Sequence, residues 1–212
     1  MARLRFQIST SLDGFVAGPD QSEENPLGVG GEQLHEWAFK LAAWREPHGK
    51  PGGEVNESTR VVEASRENIG ATLMGRNMFG GRGPWGDRPW DGWWGDDPPF
   101  HMPVFVVTHH ARPPLVKQGG TTFTFVTDGI ESALEQARAA AGGKDVALGG
   151  GASVAQQYLR AGLIDEMQLN VVPVLLGDGE RLLEGLAGAD LRLECVAAVA
   201  APGVTHLSYR LR

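Results

Sequence analysis

The stretch that most constrains this chain runs from Asp145 to Leu159. It reads Asp145-Val146-Ala147-Leu148, then Gly149-Gly150-Gly151, then Ala152-Ser153-Val154-Ala155-Gln156-Gln157-Tyr158-Leu159. The pattern predicts a short buried strand, a turn without side chains, and a helix. Three consecutive glycines leave the backbone open to close approach by another molecule. The helix behind them offers unpaired N–H groups and the positive end of its dipole, both suited to a phosphate. Ser153 adds a hydroxyl in that first turn. Two readings stay open here: a pyrophosphate cradle, or a tight strand-to-helix turn and nothing more. Val154 stands where a G-x-G-x-x-G fingerprint needs its third glycine, and no G-K-[ST] ending follows. Both familiar nucleotide motifs are thereby disfavoured.

Composition narrows the class. A chain of 212 residues that is 42% hydrophobic is expected to form one soluble domain, residues 1–212, with a substantial core. The net charge of −7 argues against nucleic acid or an anionic membrane as the main partner. One cysteine, Cys195, excludes a disulfide framework, a cysteine zinc site and a Cys-x-x-Cys pair within one chain. It is expected to be a small core residue. No run reaches the length of a membrane span, and a cytoplasmic location is expected.

Taken in order, Leu4 to Leu12 alternates as a first, central strand and runs into Asp13-Gly14-Phe15-Val16-Ala17. That places a carboxylate and a flexible loop at a sheet's carboxyl end, where open α/β sheets bind ligands; Asp13 is equally a turn former. Glu32 to Trp44 is expected as a helix with Leu34, Trp37, Ala38 and Leu41 on one stripe, and His35 and Phe39 sharing a neighbouring face. Ser58 to Asn68 reads as a second helix capped by Ser58. Ile69 to Met74 is a strand ended by Gly75-Arg76-Asn77-Met78, a suitable anchor for a terminal phosphate. Gly80 to Phe100 fits no regular element. Its tryptophans 85, 90, 93 and 94 imply an aromatic wall, a buried loop or a dimer contact. Pro103 to Thr108 is a third strand followed by His109-His110, whose adjacency is poor metal-ligand spacing; no metal is expected. A strand over Phe123 to Val126, a helix over Gly129 to Ala141, a long strand over Ile164 to Leu176 and a closing hairpin turned by Pro202-Gly203 complete a mixed α/β sheet.

These strand ends, in this order, resemble the dihydrofolate reductase-like fold. Within it the chain is similar to the C-terminal reductase domain of bifunctional riboflavin biosynthesis proteins (the RibD C-terminal family), above all its stand-alone, single-domain members. The resemblance rests on Ile8 through Ala17, Thr72-Leu73-Met74-Gly75-Arg76, Val106-Val107-Thr108-His109, Leu148 through Gln157, and Ile164-Asp165-Glu166 through Gly177. It implies a three-layer α/β/α domain with a mainly parallel sheet and a C-terminal antiparallel hairpin. It further implies NADPH as cofactor. Thr10, Ser11, Val16 and Ala17 would cover the nicotinamide, and Gly75, Arg76, Asn77 and Met78 the 2′-phosphate side. Thr108 and His109 would flank the adenine ribose, and Gly149, Gly150, Gly151, Ala152, Ser153 and Val154 the pyrophosphate. A cis bond between the first two glycines is implied as well.

The resemblance also shows departures. There is no zinc-binding deaminase half. The glutamate that riboflavin-type reductases carry before the glycine turn falls on Gly149. The carboxylate of dihydrofolate reductases falls on His35, with Glu36 beside it. The expectation is an NADPH-dependent reductase of a small planar or heterocyclic substrate (pterin-, pyrimidine- or flavin-related), acting by hydride transfer. Asp13, His35, Phe39 and Trp85 would lie on the substrate side, and Asp13 would either touch substrate or order its loop. The alternative is a non-catalytic nucleotide- or pterin-binding protein. Apolar surface on the hairpin and tryptophan loop points to a homodimer.

Overall fold

The computed structural model describes residues 2–80, 84–86 and 90–212. Along the chain lie β1 (Leu4–Ser11), β2 (Phe15–Ala17), α1 (Glu36–Phe39), α2 (Ala42–Arg45), α3 (Glu57–Arg66), β3 (Ile69–Gly75) and α4 (Arg76–Phe79). They are followed by β4 (Pro103–Val107), β5 (Leu115–Val116), β6 (Thr122–Val126), α5 (Ile130–Ala140), β7 (Asp145–Leu148) and α6 (Ala152–Arg160). The chain closes with β8 (Glu166–Val172), β9 (Glu180–Arg181), β10 (Leu193–Ala201) and β11 (Val204–Leu211). Among the described residues nine strands form one sheet in the order β10-β11-β8-β1-β7-β3-β4-β6-β5. The run from β8 to β6 is parallel. β11 and β10 extend one side as an antiparallel hairpin, and the short β5 closes the other. The mixed, mainly parallel sheet with its C-terminal hairpin is therefore as the sequence predicts.

Strand periodicity divides the apolar residues between two faces. Leu73, Phe105, Val146 and Leu148 pack with Ala133, Leu134 and Ala137 of α5 and Ala155, Tyr158 and Leu159 of α6. Tyr158 is fully buried and its hydroxyl donates to the carbonyl of Ile130 (2.8 Å), so the ring is buried without an orphaned polar atom. The alternate residues Val104 and Val106 join Phe79 and Phe123 in a second cluster. Leu34, Trp37, Leu41 and Val62 form a third against Val172 and Val204.

Several expectations need correction. The helix expected over Glu32 to Trp44 is broken into a turn of 3-10 helix (Gly31–Leu34), α1 and α2. The returning chain explains the break: Glu54 N–H donates to Lys40 O (2.7 Å) and Ala42 N–H to Glu54 O (2.9 Å), so backbone groups a helix would use are taken. Asn56, not Ser58, caps α3, with a reciprocal bond to Thr59. The long strand over Ile164 to Leu176 is confined to Glu166–Val172. Pro173 has no N–H to donate, and the carbonyl of Val174 beyond it accepts from Leu12 (2.9 Å). Cys195 is exposed rather than core, because β10 is the sheet's edge.

Ser58 has a different task. Its hydroxyl lies 2.8 Å from His206 Nε2, while His206 Nδ1 lies 2.7 Å from Asn170 Oδ1. The Asn170 oxygen only accepts, so the ring donates from Nδ1 and accepts from Ser58 as a neutral imidazole. His206 is buried, with Trp37 edge-on at 5.0 Å. Burial pushes its pKa down to about 4. Below the ordinary value near 6.5 the unfolded chain takes up a proton that the folded ring refuses. This contribution is thus fully present above about pH 6.5 and lost as pH falls toward 4. Urea unfolding is expected to show a loss of about 2–3 kcal/mol between pH 6.5 and 4.5 from this ring, at ~1.4 kcal/mol per unit. In His206→Gln the slope should shrink by about one proton; an unchanged slope would assign the pH dependence elsewhere.

Candidate functional site

Because β8, β1, β7, β3, β4 and β6 are parallel, their carboxyl ends share one edge of the sheet. The motifs singled out in the sequence leave the ends of β1, β3, β4 and β7. In space these strands are consecutive in the order β1-β7-β3-β4. The Thr10–Ala17 segment, the glycine turn, Gly75-Arg76 and Thr108-His109 therefore line up in a row along that edge.

At the β1 end the chain is tied down closely. Ser11 Oγ accepts from Phe15 N–H (2.9 Å) and donates to Asp13 Oδ1 (2.5 Å). Both Asp13 oxygens are further bonded, to the N–H groups of Leu176 (3.2 Å) and Gly177 (2.8 Å). The Ser11 hydroxyl and these two amides hold the Asp13 carboxyl down at about pKa 2. Of the two roles left open for Asp13, the structure shows loop ordering: its acceptor sites hold the 174–177 segment to the β1–β2 turn. Thr10, Ser11, Val16 and Ala17 are all buried.

At the β7 end the turn is stitched to β3. Gly75 N–H donates to Gly150 O (2.8 Å) and Gly149 N–H to Leu73 O (2.8 Å). The cis bond implied between the first two glycines stands one residue later, at Gly150-Gly151. The first intrahelical bond of α6 runs from Ala155 N–H to Gly151 O (3.1 Å), which leaves the N–H groups of Ala152, Ser153 and Val154 ahead of the ladder. A Cβ on Gly151 would meet nothing within 4 Å among the described residues, so space lies over the turn. Ser153 is exposed, while Ala152 and Val154 anchor the helix in the core.

At the β3 end Arg76 is half-buried, and its Nε and Nη1 are buried with no hydrogen-bond partner among the described residues. Burial pushes its pKa down, as does the Arg112 charge, while Glu23 acts the other way. Asn77 is exposed, and Met78 turns its thioether to Gly149, where a Cβ would lie 3.1 Å from the Met78 Cε. At the β4 end Thr108 is buried and its Oγ1 accepts from His110 N–H (3.1 Å), leaving His109 exposed.

The residues expected on the substrate side do not form one group. His35 stacks on Phe39 at 6.1 Å, and Phe39 meets Trp44 at 4.8 Å, in a ladder on α1 and α2. Burial lowers the His35 pKa. Trp85 belongs to another cluster: its Nε1–H donates to His110 O (3.0 Å), its ring meets Phe79 and Phe125 edge-on, and Arg76 lies over its face at 3.6 Å. It is a neighbour of the Gly-Arg corner, not of Asp13 and His35. Sequence reasoning missed Arg112, whose Pro-rich surroundings gave no signal, and Arg181. The latter stacks on Phe15 at 4.2 Å and donates to Asp13 O at 3.0 Å. Among the described residues no three His, Cys, Asp or Glu side chains are grouped to hold a metal, and no helix is long and apolar enough to cross a membrane.

Comparison with known proteins bears on this geometry. No curated protein sequence matches the chain. The structure is similar to that of a candidate riboflavin biosynthesis protein from Shewanella sp. PV-4, with 24% identity, a TM-score of 0.62, and coverage of 100% of this chain and 99% of that one. It is also similar to Acinetobacter baumannii RibD (18% identity, TM-score 0.57), covering 100% of this chain but 58% of RibD. Enterococcus faecalis dihydrofolate reductase, complexed with NADP(H) and RAB-propyl, superposes at a TM-score of 0.50 with 13% identity, covering 99% and 96%. At these identities the likeness shows the dihydrofolate reductase-like fold. The family model of the RibD C-terminal domain matches residues 2–207, and the chain belongs to that family.

Proposed function

We propose that the chain is an NADPH-dependent reductase of a small planar or heterocyclic substrate. Family membership supports a reductase-like enzyme. The single observation that carries the cofactor is the order β1-β7-β3-β4 along the strand ends. It matches the linear order of nicotinamide, pyrophosphate and 2′-phosphoadenosine in the dinucleotide. The residues fit such a group: open space over Gly151, three first-turn N–H groups of α6, and a guanidinium at Arg76 with orphaned donors. When bound, the nicotinamide supplies the hydride. The protein's part is positioning. The Asp13 strut holds the β1–β2 turn, the glycine turn lets the backbone approach, and His35 and Phe39 line the side open to substrate. Titration followed by tryptophan fluorescence is expected to show NADPH bound more tightly than NADH, with Arg76→Ala narrowing the ratio. Equal affinities in the parent protein would remove the NADPH assignment.

A second reading, a nucleotide- or pterin-binding protein without turnover, is favoured by Gly149 and His35, which stand where related reductases carry carboxylates. Steady NADPH consumption with any member of a carbonyl and heterocycle panel would exclude it.

We also propose a homodimer built on β10. This edge strand carries Leu193 and Val196 at 49% exposure each, and from Cys195 to Ala201 it has no charge and no proline. Bare apolar edges of this kind are rarely left unpaired. Light scattering is expected to give the mass of two chains, and Val196→Lys with Ala198→Lys the mass of one. A single-chain mass for the parent protein would exclude the dimer.

A further inference from the structure

Two guanidinium groups converge on one indole. The Arg76 carbon Cζ lies 3.6 Å from the centre of the Trp85 ring and that of Arg112 4.9 Å from it. Arg112 is also 5.2 Å from the Phe125 ring. Its position is fixed from behind: Nη1 donates to Trp90 O (2.5 Å) and Nη2 to Asp91 Oδ1 (2.6 Å), and its side chain is only 11% exposed. Trp85 is fixed in turn by its bond to His110 O and its edge contacts with Phe79 and Phe125. An aromatic face attracts each cation, but the two cations repel one another. The Arg112 charge is one of the causes that lower the Arg76 pKa. Asp91 faces Arg112 but is shared with Lys117 (3.9 Å). Arg76 feels the Glu23 carboxylate only through charge, and two of its buried donors are unanswered among the described residues.

This corner adjoins Thr108 and His109, because Trp85 is bonded to the carbonyl of His110. Building on the dinucleotide reading above, we propose that Arg112 is a second cation for the terminal phosphate and Trp85 the positioning residue that aligns it with Arg76. The unit selects a phosphomonoester dianion: the 2′-phosphate that NADPH has and NADH lacks. Arg112 acts through charge at short range. Arg76 and Trp85 supply a preorganised face, so little side-chain freedom is lost when the anion enters.

Calorimetric titration with NADPH, NADH, 2′-AMP and 5′-AMP tests this without any turnover. The parent protein is expected to prefer each 2′-phosphorylated ligand by tenfold or more, a range typical of charge-assisted pairs. Arg112→Gln keeps a donor for Trp90 O and removes the charge. It is expected to weaken NADPH and 2′-AMP about tenfold, with NADH and 5′-AMP unchanged and a shallower salt dependence for NADPH. Arg112→Lys should recover part of the loss, and Trp85→Leu should reproduce it. If Arg112→Gln keeps the parent's NADPH-to-NADH ratio while Arg76→Ala collapses it, the phosphate belongs to Arg76 alone. The proposal then falls and the NADPH reading stands. Equal weakening of NADPH and NADH by Arg112→Gln would make Arg112 a loop support and overturn the proposal too. A parent protein that binds both dinucleotides equally removes the NADPH reading itself.

Discussion

Where β7 ends, the chain is bonded to β3 through backbone alone, with little room for a side chain at Gly75. The bonds Gly75 N–H to Gly150 O and Gly149 N–H to Leu73 O are both 2.8 Å long. A Cβ on Gly75 would lie 3.1 Å from Val154 Cγ1, and Val154 cannot yield freely because it is buried in the core beneath α6. This contact sets the position of Arg76 relative to the glycine turn through backbone alone. The register of β7 against β1 (Phe6 opposite Leu148) and β3 (Leu73 opposite Leu148) then carries the same precision to the Asp13 loop. The spacing of three of the four motifs thus depends on a joint made of glycine.

The charges at the two ends of the parallel sheet are partnered differently. At the amino ends Asp145 accepts from the backbone and side chain of Arg3, each at 2.9 Å, and Asp165 accepts from Leu4 N–H. Burial works against the Asp145 carboxylate, but the bonds from Arg3 outweigh it and hold its pKa below the ordinary range. At the carboxyl ends stand Arg76, Arg112 and the bare amides of α6. A chain with net charge −7 thereby keeps a cationic corner. Burial and the low local dielectric let that corner act on a ligand despite the overall sign.

Sequence periodicity revealed the sheet because strand alternation is a local property: β3, β4, β7 and the hairpin were legible to within a residue or two. The helix over residues 32–44 was not, because its interruption is caused by Glu54, a residue a dozen positions away. Cys195 misled for a related reason. An apolar run reads as core, and only the sheet order shows that β10 has no neighbour on its far side. The motif residues at strand ends were legible because glycine, arginine and threonine there have few local reasons to occur. Arg112 and Arg181 were not, since nothing in their surroundings distinguishes them from surface arginines until the loops close. Trp85 was assigned to the wrong neighbours because the partners that hold it, Arg76, His110 and Phe125, are brought together only by the fold.

Two of the expected site positions, Gly149 and His35, carry no carboxylate. Gly149 has an ordinary backbone angle, and a Cβ there would meet the flexible end of Met78 at 3.1 Å and Leu73 O at an ordinary contact distance of 3.6 Å. A Cβ at this position would therefore meet no backbone closer than ordinary contact, and the backbone does not itself demand a glycine there. At His35 the side chain is an imidazole, and burial lowers its pKa and so disfavours the cationic form. Neither position thus offers a carboxylate of its own to a ligand, although Glu36 follows His35 in the chain. The joint between β3 and β7, by contrast, is held by backbone bonds. Side chains beside that joint can thus differ without moving it, since chemistry at a site need not follow from the fold that carries it.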